Sequence, residues 1–137
     1  MRALQDIAEE YEFLDPDDRY RLLIELGRAL EPMPAPLKTE ATLMRGCSAQ
    51  VWVYPTGKTH RLHFLADSNA AITKGIVALV IAAVQDRPAH EVAAMDIAAV
   101  LAPFELERQL SSNRTQGLPN MIALVKTHAQ RIAAAAA

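Results

Sequence analysis

Apolar residues recur at helical spacing at both ends of this chain and alternate with polar ones in its middle. Leu4, Ile7, Ala8 and Tyr11 fall on one face of an opening helix. Asp15 followed by Pro16 reads as an N-cap and a first-turn proline. Behind them Tyr20, Leu23, Gly27 and Leu30 predict one face of a second helix, widened by Leu22 and Leu26. Pro32, Pro34 and Pro36 end it, because proline donates no backbone N–H and obstructs the preceding turn. Residues 31–39 therefore read as an extended connector.

Two alternating runs follow. Ala49, Val51 and Val53 alternate with Gln50, Trp52 and Tyr54, and Leu62, Phe64 and Ala66 alternate with Arg61, His63 and Leu65. A turn-like stretch, residues 55–58, lies between them, which predicts an antiparallel hairpin. A short strand over residues 42–45 would add a third member. Asp67, Ser68 and Asn69 offer three successive helix caps. Residues 70–85 are then apolar nearly all round, the signature of a buried central helix. Pro88 starts a short helix, residues 96–106 read as another, and residues 110–114 form a polar break. Pro119 opens a last helix carrying Met121, Leu124, Val125, His128 and Ile132 on one face, with residues 133–137 as its fraying end. The pattern shows no internal repeat and no linker, so residues 1–137 are expected to form a single α+β domain. Its small antiparallel sheet, of about three strands, would be covered by helices.

Composition narrows the function. The chain has 137 residues, 51% apolar and 22% charged, within the range of a globular domain. Its net charge of -2 and its 5% aromatic content count against nucleic-acid binding. The longest apolar run, residues 76–84, is far short of the roughly 20 residues that span a bilayer. No secretory leader is recognisable at the start, so a cytoplasmic location is expected.

The chain holds one cysteine, Cys47. One thiol forms no internal disulfide and no multi-cysteine zinc or iron–sulfur site. It lies in Arg45-Gly46-Cys47-Ser48, where Gly46 and Ser48 suit a turn and the charge of Arg45 would favour a thiolate. On these features alone packing is favoured over reactivity, since a lone cysteine commonly serves as a small buried hydrophobe. The four histidines show no metal-ligand spacing. His60 and His63 stand on opposite faces of a strand region, and His90 and His128 belong to helix surfaces, so no base is placed beside Cys47 for a hydrolase. The carboxylates Asp6, Glu9, Glu10, Glu12, Asp15, Asp17 and Asp18 suit helix first turns and a solvated face, with docking of a basic partner as the alternative. No glycine-rich phosphate loop occurs. Trp52 reads as hairpin packing, Asp67 as a cap, and Arg114 as an exposed arginine that could anchor a partner.

Four blocks resemble the SufE/CsdE family of sulfur acceptors. They are Tyr20 with Ile24-Glu25-Leu26-Gly27, then Arg45-Gly46-Cys47-Ser48-Ala49-Gln50-Val51-Trp52, then Asp67-Ser68-Asn69-Ala70-Ala71-Ile72-Thr73-Lys74-Gly75, then Leu110-Ser111-Ser112-Asn113-Arg114-Thr115-Gln116-Gly117-Leu118. They keep the family's order and cover most of the chain. Asn69 stands where the family more often has aspartate, and Ala49 where it more often has a small polar residue.

The resemblance implies a fold similar to the iron–sulfur scaffold (IscU-like) protein of the same pathway. It implies that Cys47 takes persulfide sulfur from a pyridoxal-phosphate cysteine desulfurase, stimulates it, and passes sulfur to an iron–sulfur scaffold or other acceptor. Arg45, Gly46, Ser48, Asp67 and Arg114 would flank Cys47 at the partner interface. The protein would be a transfer accessory rather than a stand-alone enzyme, with no cofactor or metal of its own. Persulfide exchange needs one thiolate, and a neighbouring thiol would discharge the product, so the cysteine count suits an acceptor better than a scaffold. The alternative is a non-catalytic interaction module in which Cys47 only packs.

Overall fold

The computed structural model describes residues 2–44, 49–108 and 117–136. The element order is the one that the periodicity predicts. Helices α1 (Leu4–Glu12) and α2 (Pro16–Arg28) precede strands β1 (Val51–Lys58) and β2 (Arg61–Ser68), and helices α3 (Ala71–Val84), α4 (Ala89–Ala94), α5 (Ile97–Leu101) and α6 (Gly117–Ala136) follow. Asp15 caps α2 as expected, its side chain accepting the amide of Asp18 at 2.9 Å. Arg19 then donates to the carbonyls of Tyr11 and Glu12 at the end of α1, with its guanidinium over the Tyr11 ring, and so closes the α1–α2 corner.

Helix α3 is the core. Eleven of its fourteen residues are buried, and α1, α2, β2, α5 and α6 pack around it. Such a helix shows solvent little beyond Ala71, Lys74 and Ala82, so its neighbours must come close around the rest. On the α2 side they meet at backbone distance. A methyl group on Gly75 would lie 2.0 Å from the carbonyl oxygen of Leu23, and one on Gly27 would lie 2.8 Å from the amide nitrogen of Gly75. Leu22 and Leu23 are buried at this crossing, whereas Tyr20, expected on the same face, is 44% exposed.

β1 and β2 pair antiparallel from Val51 with Ser68 to Lys58 with Arg61. Val51, Val53, Leu62, Phe64 and Ala66 face the core, as their alternation predicts. The expected turn at residues 55–58 is instead the end of β1, and the chain reverses at Thr59 and His60. Pro55 is tolerated because of its register. Val51 and Val53 bond to residues 42–44, away from β2, and Pro55 points the same way, so its missing N–H opens no gap between the strands. Among the described residues the expected third strand over 42–45 reduces to a bridge between Leu43 and Trp52, held by Met44 N to Val51 O at 2.7 Å and Val53 N to Thr42 O at 2.9 Å. On the far side of β2, the Gln85 side chain accepts the Phe64 amide and donates to the Phe64 carbonyl, and residues 86 and 87 exchange backbone bonds with Leu62.

Three further expectations are corrected. Asp67, Ser68 and Asn69 do not cap α3 through a side chain; Ala70 occupies the N-cap, and Asp67 and Ser68 belong to β2. The predicted helix over residues 96–106 stops at Leu101 and breaks into 3-10 turns, because Pro103 lacks a donor and Glu105 turns left-handed at φ 47°. The last helix begins at Gly117, which places Pro119 in its first turn, where no intrahelical donor is needed. The polar break at residues 110–114 lies outside the described residues.

The α2–α3 crossing yields a prediction. In a free helix Gly→Ala stabilises by about 1 kcal/mol. At position 75 the added carbon meets backbone that cannot rotate aside, so the sign reverses. Gly75→Ala is expected to destabilise by about 3 kcal/mol or more, read as a fall in the urea unfolding midpoint. An unchanged or raised midpoint would show that the helices are not in backbone contact.

Candidate functional site

The residues that the sequence singles out divide into two groups. Arg45, Gly46, Cys47, Ser48 and Arg114 lie outside the described residues; Asp67 lies within them, on β2. The chain on either side of residues 45–48 is well tied. Before it, the Thr42 hydroxyl donates to the Leu37 carbonyl at 2.6 Å and accepts the Thr39 amide, and Met44 is bonded to Val51 and buried. After it, Gln50 and Asn69 make a reciprocal pair. The Gln50 amide donates to Asn69 Oδ1 at 3.0 Å, the Asn69 amide to the Gln50 carbonyl at 3.2 Å, and Asn69 Nδ2 to Gln50 Oε1 at 3.3 Å. A carboxylate at position 69 would keep the accepting bond and lose the donating one.

Next to this pair is a charged cluster. Trp52 and Asp67 are cross-strand partners, so both side chains stand on the face of the hairpin turned away from the core. Asp67 is 15% exposed and makes two ion pairs, with Lys38 Nζ at 2.5 Å and with Lys74 Nζ at 3.1 Å. Its Oδ1 also accepts the Ser68 amide at 2.8 Å. The Lys38 ammonium lies 5.5 Å from the Trp52 ring centroid. Asp67 thereby joins three parts of the chain: the proline-rich connector through Lys38, its own strand, and the first turn of α3 through Lys74. Further along the same face, His63 Nε2 meets Glu31 Oε2 at 2.9 Å. The connector is therefore strapped to the outer face of the hairpin at both ends and leads directly to residues 45–48.

Burial alone pushes the Asp67 carboxyl up, but the hydrogen bonds from Lys38, Ser68 and Lys74 and the Lys74 charge outweigh it. The net result is a pKa below the ordinary value of 3.8. Sequence reading missed Lys38 altogether, since a lone lysine among prolines carries no periodic signal. It also missed the reach of Lys74 back to a strand residue seven positions earlier. His128, expected on a helix surface, is half-buried; desolvation and then the Arg131 charge hold its pKa below 6.5. Among the described residues no cluster of three or more His, Cys, Asp or Glu could hold a metal ion, and no helix is long and apolar enough to cross a membrane.

Asp67→Asn should cost about 1–3 kcal/mol of stability at neutral pH, because two half-buried lysines lose their counter-charge. The pH dependence has a definite sign. The folded carboxyl titrates below its unfolded value, so its contribution is complete above 3.8 and is lost as the pH falls through the lower folded value. Urea midpoints followed into the acid range should fall more steeply for the wild type than for the Asn variant. Parallel curves would remove the ion pairs from the stability of the fold.

Comparison with known proteins is consistent with this architecture. The SufE family pattern, described as an Fe-S metabolism associated domain, matches residues 5–129. An uncharacterized SufE-like protein of Rhizobium etli is 36% identical over 140 residues, covering 98% of this chain and 95% of its own length. A second such protein, of Rhizobium meliloti, is 36% identical over 135 residues, covering 95% of this chain and 96% of its own. The sulfur acceptor protein CsdE of Escherichia coli is 37% identical over 103 residues, covering 74% of this chain and 70% of its own. In three dimensions the chain is similar to a hypothetical protein from Thermus thermophilus, known from a solution structure, with a TM-score of 0.76 at 15% identity over 94% of each chain. A family match over most of the chain and relatives above one-third identity along nearly its full length place this chain in the SufE family.

Proposed function

We propose that this protein is a sulfur acceptor for a pyridoxal-phosphate cysteine desulfurase, with Cys47 as the acceptor thiol. The observation that carries the reading is the chain's only cysteine, standing in the Arg45-Gly46-Cys47-Ser48 block of a SufE-family sequence. The CsdE relative, named a sulfur acceptor, supports the class of partner. The Cys47 thiolate attacks the outer sulfur of the desulfurase's cysteine persulfide. A new S–S bond forms to Cys47, the donor's S–S bond breaks, and the donor cysteine leaves as a thiolate. Sulfane sulfur changes hands without net oxidation, so no cofactor is needed on the acceptor. A second exchange passes the sulfur to a scaffold for iron–sulfur cluster assembly or to another acceptor. Removal of the persulfide from the desulfurase is what stimulates it.

Arg45, Gly46, Ser48, Asp67 and Arg114 are the contacts proposed around the thiol. Asp67 takes part through the two lysines it holds. The chain acts as one domain over residues 1–137, in the cytoplasm, as a transfer partner rather than a stand-alone enzyme.

Two expectations follow. After incubation with a desulfurase and cysteine, intact-mass measurement should find one added sulfur atom on the wild type and none on Cys47→Ser. That variant should keep the fold while desulfurase turnover drops to its unaided rate. A wild-type mass that never changes would instead fit an interaction module with a structural cysteine. Arg114→Glu should weaken desulfurase binding about tenfold or more; unaltered affinity would take Arg114 out of the interface.

A further inference from the structure

The residues that lead into the Cys47 block form one wall of a cleft. Its volume is about 430 Å³, and it lies between residues 41–44 and helix α6. Leu43, Met44, Val53 and Leu124 give it an apolar floor, and His128 and Arg131 stand at its α6 side. Two observations set it apart from an ordinary groove. First, its one charged side chain among the described residues is a cation, Arg131; no described carboxylate lines it, and the twenty residues of α6 contain no Asp or Glu. Glu40, one residue before the cleft's edge, is exposed and does not line it. Second, that charge is uncompensated. Arg131 is exposed and enters none of the ion pairs or hydrogen bonds among the described residues, and its field acts on the His128 ring instead. In a chain of net charge -2 this is a local excess of cation over an apolar floor. A partner group with an apolar body and a carboxylate tip complements both.

We infer that the cleft between residues 41–44 and α6 receives an acidic segment of the cysteine desulfurase, with Arg131 and His128 facing its carboxylate. The inference rests on the function proposed above and adds to it the chemistry of the surface the partner must present. A segment seated there is held close to the start of the Cys47 block, since Met44 immediately precedes Arg45. Docking and sulfur transfer then occur at one end of the molecule. Guanidinium is suited to the task because its planar fork can take a carboxylate through two parallel hydrogen bonds.

The test uses the full chain and a pyridoxal-phosphate-loaded desulfurase, of the SufS or the CsdA type, with the dissociation constant measured by calorimetry. Arg131→Glu is expected to weaken binding about tenfold or more, Arg131→Gln less and in the same direction, and Arg131→Lys least. Added salt should weaken the wild type more than Arg131→Gln, because screening acts on the charge that the variant lacks. Arg131 is exposed, so folding of each variant is checked by circular dichroism rather than assumed. Sulfur loading of the wild type is measured in parallel. If the wild type gains sulfur and folded Arg131→Glu binds with wild-type affinity, the cleft is not the docking site and the acceptor function stands. If the wild type neither binds nor gains sulfur, both readings fall.

Discussion

A helix buried along most of its surface dictates how this protein is built. α3 offers no polar stripe to water, so α1, α2, β2, α5 and α6 have to enclose it. The approach is closest at Gly27 and Gly75, where two helices touch through their main chains. Close packing of this kind fixes α2, and α2 fixes where the connector starts. The connector is short of regular structure yet is not loose. Met33 is buried, Glu31 meets His63, and Lys38 meets Asp67. A chain of constraints thus runs from the core helix to the last described residue before the Cys47 block.

Patterns that depend on a local period were legible in the sequence. The order of two helices, a hairpin and four helices followed from spacing, and so did the inward set Val51, Val53, Leu62, Phe64 and Ala66. A cap was legible where it is local: Asp15 at α2 does what its position suggests. What failed was set by distant partners. Pro55 reads as a turn until register shows that its missing donor faces away from β2. Asp67 and Asn69 read as caps until Lys38 and Gln50, 29 and 19 residues earlier, claim their side chains. His128 reads as surface until residues 41–44 fold against α6. Of the candidate site, Cys47 was legible as a solitary thiol in a family block, whereas the lysines and the cleft around its approach were not, because polar contacts across the chain leave no periodic trace.

The chemistry proposed for Cys47 asks little of a protein beyond placement. Exchange of sulfane sulfur is close to balanced, so selectivity has to come from which partner can present its persulfide there. The charged features near the Cys47 block are suited to such discrimination. Asp67 neutralises two lysines on the hairpin face, while Arg131 near the cleft has no acid to neutralise it among the described residues. One set of charges holds the chain together, and the other remains available to a partner.

The bonds that Gln85 makes with Phe64, and those of residues 42–44 with Val51 and Val53, have a further consequence. A sheet of only two strands ordinarily presents two unsatisfied flanks, and such flanks invite strand addition by whatever extended chain comes near. Here a side-chain amide mimics a peptide unit on one flank, and a fragment of backbone occupies the other. The hairpin is thereby guarded against β-augmentation and templated self-association at these positions. Contact is steered toward helices and side chains, where an encounter can be brief and reversible.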